Sequence, residues 1–124
     1  MGTRFSGSDA SALFVEADTN AADIASIGAN QQPNTALTIN GTDASGGAVS
    51  FTNARLVTVT TTGTGDAGKT ILITGTDIDG AAQTETLTML GSATTVTGTK
   101  YFKTVTAGAV NTQPAANISV GMAN

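Results

Sequence analysis

From residue 35 onward, apolar and polar positions alternate along the chain in short runs. Leu37 and Ile39 share one face of Ala36–Ile39, and Val49 and Phe51 share one face of Ala48–Thr52. Val57 and Val59 do the same in Ala54–Thr60, and Glu85, Leu87 and Met89 in Gln83–Leu90. Period-two alternation is the mark of a strand with one buried and one wet face. Thr70–Thr74 holds the apolar run Ile71-Leu72-Ile73, so it is expected near the centre of the sheet. Thr94–Thr97, Lys100–Thr106 and Asn117–Gly121 complete the predicted set.

Turn chemistry separates these runs. Asp43-Ala44-Ser45-Gly46-Gly47, Asp77-Ile78-Asp79-Gly80 and Gly91-Ser92 are breaks. Gly63-Thr64-Gly65-Asp66-Ala67-Gly68 reads as a hairpin loop. About eight short strands at this spacing predict an all-β fold, an antiparallel β-sandwich or small barrel spanning residues 35–124. Ile39-Asn40-Gly41-Thr42-Asp43-Ala44-Ser45-Gly46 and Ile73-Thr74-Gly75-Thr76-Asp77-Ile78-Asp79-Gly80 echo each other, which is either chance in a Thr/Gly-rich chain or two strand-turn-strand units of one plan.

Residues 1–34 differ. They hold few threonines and are predicted to be an irregular segment or an arm reaching a neighbouring subunit. Leu13-Phe14-Val15 forms a short apolar knot, and the spacing of Ile24 and Ile27 behind Asp18 or Thr19 suggests a helical turn or two over 18–27.

Composition sharpens the picture. Threonine supplies 24 of 124 residues, so the strands gain solubility from hydroxyls and not from charge. The apolar side chains are small, and at about 25 cal/mol per Å² of buried apolar area a core of this kind contributes little per residue. Stabilisation by oligomerisation or by docking on a larger surface is therefore expected. The net charge of −4 and the absence of a basic stripe argue against nucleic acid as a partner. The chain has no Cys and no His, which excludes disulfides and thiolate chemistry and removes the commonest general base and transition-metal ligand. No apolar run approaches a membrane span, and no signal peptide is evident, so synthesis in the cytoplasm is expected.

Candidate chemistry is sparse. Asp77 and Asp79, in Asp77-x-Asp79-Gly80, form the one metal-like pattern, a weak calcium candidate with Asp66 or Glu85 as possible completing ligands. The twelfth position from Asp77 is Thr88, where a calcium loop of the EF-hand type requires Glu, and a plain turn is the simpler reading. No activated nucleophile or base is visible, so the chain is not expected to be an enzyme, and no cofactor is expected. Thr99-Lys100-Tyr101-Phe102-Lys103-Thr104 concentrates bases and aromatics. Either Phe102 is a core residue with solvated neighbours, or Lys100, Tyr101 and Lys103 form an inter-subunit contact; Leu13, Phe14 and Val15 are the other interface candidates.

The stretch Ile71–Val105 resembles small structural proteins of tailed bacteriophages. The resemblance is carried by Ile73-Thr74-Gly75-Thr76-Asp77-x-Asp79-Gly80, Thr84-Glu85-Thr86-Leu87 and Gly98-Thr99-Lys100-x-Phe102-Lys103-Thr104-Val105-Thr106. It implies a virion component, made in the host cytoplasm and assembled on the particle. The leading expectation is a capsid decoration (cement) protein, a homo-oligomer such as a trimer, whose partners are the major capsid protein and copies of itself, with neither nucleic acid nor membrane. The alternatives are a tail, head-fibre or adhesin module binding host glycan, and a low-copy head–tail or tail-tube component.

Overall fold

The computed structural model describes residues 22–123. Among them are seven strands: β1 (Asp23–Gln31), β2 (Ala44–Ser45), β3 (Ala48–Thr61), β4 (Thr70–Thr76), β5 (Ala82–Thr88), β6 (Thr95–Val110) and β7 (Ile118–Met122). All pairings are antiparallel, in the order β1-β7-β3-β6-β4-β5, with the short β2 on β3. The expected all-β fold is present, as a sandwich-like sheet that does not close into a barrel by strand pairing.

One core lies beneath the sheet. It is built from Ile27, Val49, Phe51, Val57, Val59, Ile71, Ile73, Leu87, Met89, Phe102, Val105, Ile118 and Val120 with their neighbours. The alternation predicted for Leu37, Val49 and Phe51, Val57 and Val59, and Leu87 and Met89 is realised, each pointing inward. Phe102 is fully buried, as its place in the alternation allows.

Several predicted elements are corrected. Ala48–Thr52 and Ala54–Thr60 are one strand, β3, and Thr94–Thr97 and Lys100–Thr106 belong to one strand, β6. Each long strand absorbs its irregular residues as a bulge. Between the pairs Ser50↔Thr104 and Arg55↔Phe102 the extra residues lie on β3; between Leu56↔Tyr101 and Thr58↔Thr97 they lie on β6. The most apolar strand, β4, sits next to the edge strand β5, while β3 and β6 hold the middle of the sheet. The Gly63–Gly68 segment is no hairpin loop, because β3 and β4 are not paired; it carries the chain across to the other side of β6. Ala36–Ile39 makes only the bridge Ala36↔Ala109. The Gln31 side chain explains its brevity: Oε1 accepts the Thr38 N–H at 2.8 Å and Nε2 donates to the Thr38 carbonyl at 2.9 Å, occupying the groups a ladder would use. Without a strand there, the echo between 39–46 and 73–80 does not mark two copies of one unit.

The expected helical turn over 18–27 is also corrected where it is described: residues 23–31 are a strand paired with β7. Residues three apart lie on opposite faces of a strand, and Ile24 is 48% exposed while Ile27 is fully buried. The outer edge of β1 is covered in turn. Gly41, Thr42 and Asp43 donate their amides to the carbonyls of Ile27, Ala25 and Ser26. Leu13, Phe14 and Val15 lie outside the described residues.

Candidate functional site

Asp77 shapes its turn through one carboxylate oxygen. Its Oδ1 accepts the amides of Asp79 at 2.9 Å and Ala81 at 3.0 Å, and the Gly80 amide donates to the Asp77 carbonyl. Gly80 takes a φ of +84°, which glycine adopts without strain. This is an Asx turn joining β4 to β5. Among the described residues no three acidic or other metal-ligating side chains cluster, so Asp66 and Glu85 do not join Asp77 and Asp79.

The basic-aromatic stretch of β6 divides. Tyr101 is 59% exposed and Lys100 is exposed, as an interface reading requires, but both lysines are already bonded within the chain. Lys103 Nζ donates to the carbonyls of Phe51 at 2.6 Å and Thr52 at 2.7 Å. These are carbonyls of the β3 bulge, freed from the ladder, and the ammonium replaces the strand partner they lost. Lys100 Nζ donates to the Thr84 carbonyl of β5 at 2.8 Å. The bulge also walls a cleft of about 220 Å³ lined by Asp43, Phe51, Asn53, Arg55 and Met122. Arg55 is buried there and donates to the Ala123 carbonyl at 3.2 Å.

Two arrangements were not foreseen from the sequence. The first is a carboxylate grip. Glu85 of β5 accepts the Thr99 amide at 2.6 Å, the Thr99 hydroxyl at 3.1 Å and the Lys100 amide at 3.2 Å. The only signal for it is the inward parity of Glu85 beside Leu87 and Met89, an odd place for a charge. The second is buried Asp66, whose Oδ1 accepts Lys69 Nζ at 2.9 Å and the Ala115 amide at 2.7 Å. Burial opposes its charge, but the Ala115 amide, the Lys69 ammonium and the Ala116 amide more than offset that and hold its pKa below the ordinary aspartate value. Asp66 thereby ties the β3–β4 connection to the segment before β7.

A third feature is the outer face of β4, β5 and the C-terminal half of β6. One row runs Ala36, Ala109, Leu72, Thr86; the next runs Ala107, Thr74, Thr84; Thr70 stands opposite Thr88, and Thr76 bonds Thr104 hydroxyl to hydroxyl at 2.7 Å. None of these side chains carries charge. Charge begins at the rim, with Lys100 beyond β5, Asp77 and Asp79 at one end and Lys69 at the other. Leu72, 41% exposed, stands in the middle.

No family model, curated protein or solved structure matches this chain.

Proposed function

We propose that this protein is a virion structural protein, a capsid decoration (cement) protein that binds the outer capsid lattice as a small homo-oligomer and stabilises the shell. The observation that carries the reading is the uncharged outer face of β4, β5 and β6, with Thr hydroxyls in register around Leu72. Hydroxyl-bearing strands keep such a face wet and soluble when free. They also let it desolvate against another protein without stranding a charge, which would cost several kcal/mol. The phage-like stretch Ile71–Val105 contains β5, all of β4 but Thr70, and much of β6, the strands that build this face.

The mechanism is added interface. A protein that binds the assembled shell and not its separated subunits stabilises the shell by mass action, by about 2.7 kcal/mol per site at a hundredfold excess over Kd. The internal bonds of Lys100 and Lys103 shift the expected contact from the basic stretch to the Thr/Ala/Leu72 face.

Quantitative mass spectrometry of purified virions tests the proposal. A lattice-wide cement is present at a copy number that scales with the major capsid protein. A few dozen copies or fewer per particle would rule it out in favour of a head–tail or fibre component.

A further inference from the structure

The bulge at residues 98–100 of β6 gathers donors onto one point. Thr99 and Lys100 turn two successive backbone amides toward the same carboxylate, and the Thr99 hydroxyl adds a third donor. Both oxygens of Glu85 are served, Oε2 by Thr99 and Oε1 by Lys100. Successive amides converging in this way make an anion-binding concavity. Gly98 supplies the space, since a Cβ at that position would overlap the Glu85 carboxylate.

The position of this concavity gives it a mechanical consequence. In its C-terminal half β6 pairs with β4, but that ladder ends at Gly75↔Val105 and Thr76↔Thr104. Among the described residues no strand pairs with that side of β6 over residues 99–101. Edge strand β5 reaches across the gap through side chains: Glu85 into the bulge, Gln83 Nε2 to the Tyr101 carbonyl, and Lys100 Nζ back to the Thr84 carbonyl. The open amides and carbonyl of β6 are thus masked by a carboxylate and a carboxamide in place of a strand.

We propose that the Gly98–Lys100 bulge is a carboxylate-binding cradle whose resident ligand is Glu85, and that this contact latches β5 over the open edge of β6. Vacating the cradle releases the latch and leaves a site for a small external carboxylate. The inference stands on its own geometry and does not depend on the capsid reading.

Amide exchange and chemical-shift titration on the full chain test it, with acetate as the probe. In Glu85→Ala, exchange at the Thr99 and Lys100 amides rises by about tenfold or more, as expected for losing hydrogen bonds to a charged acceptor. Amides of the β3–β7 ladder, such as those around Val59, stay protected. Acetate then shifts the two freed amides saturably in the variant and leaves them unmoved in the parent chain. Unchanged exchange at Thr99 and Lys100, or acetate shifts that are linear or equal in both proteins, overturns the proposal. Should Glu85→Ala fail to fold, Gly98→Ala decides the matter: its methyl expels the carboxylate, so the same two amides lose protection, and retained protection there overturns the cradle.

Discussion

At Asp66 a carboxylate with no exposed surface joins two segments far apart in sequence. Its Ala115 and Lys69 bonds are charge-assisted, the class worth about 1.5–3 kcal/mol each, so Asp66→Ala is expected to lower stability by about 2–3 kcal/mol in urea denaturation. Because its pKa is lowered on folding, the unfolded chain takes up the proton first. The contribution is whole above the ordinary aspartate value of about 3.9 and drains away as pH falls through the lower folded value. Asp66→Asn should therefore flatten the acid side of the stability profile, and an unchanged acid slope would contradict this assignment. The two lysines of β6 make a second contrast at this scale. Lys103→Met strips the donor from two bulge carbonyls and should cost about 1–2 kcal/mol, whereas Lys100→Met, at an exposed position, should stay within about 0.5 kcal/mol in the same melts. The sequence treats these lysines alike, as neighbours of Tyr101. Their difference lies in partners 52 and 16 residues away, which no local pattern encodes. Asp77 is the opposite case: its partners are two and four residues on, so its role as a turn former was legible from Asp-x-Asp-Gly alone.

Among the elements, alternation showed which residues face inward but not how far each strand continues. Gly98 and Asn53 read as interruptions, and both fall in bulges through which a single strand passes. A bulge needs an extra acceptor or donor from elsewhere, and here Lys103 and Glu85 supply it from other strands. Strand β1 was missed because Ile24 and Ile27 have helical spacing, while the feature that makes a strand there lies almost a hundred residues on. Gly121 of β7 lets the β1 backbone approach so closely that a Cβ would run into the Asp23 carbonyl and Ile24. Gly121→Ala should accordingly unseat the start of β1. The expected result is a loss of about 1–3 kcal/mol, the usual range for overpacking, with exchange rising first at amides of residues 23–28. Uniform loosening across the sheet would instead mean that β1 is not separately seated.

For the molecule as a whole, the decisive property is the separation of charge from the outer face of β4, β5 and β6. Leu72 and Thr86 face each other across β4 and β5 near the middle of that face. Both point away from the core, so Leu72→Lys with Thr86→Lys spares the core packing, and the like charges placed opposite each other across the two strands should cost about 1 kcal/mol in all. Under the proposed capsid role, with this face as the docking surface, their effect on association is expected to be far larger. Two ammonium groups placed at the centre of a docking surface must shed water without a partner, a loss of at least tenfold in affinity for each group left unpaired. Co-sedimentation with shells lacking the protein measures this. The double variant should remain in the supernatant under conditions where the parent chain pellets, while its melting temperature falls by only a few degrees. A control pair at the rim, Asp79→Asn with Lys69→Gln, separates the two contributions, because Lys69 is tied to Asp66 and its loss should lower melting without weakening shell binding. If the central lysines leave binding as it was and the rim pair abolishes it, the recognition surface is the charged end of the sheet and not its threonine face.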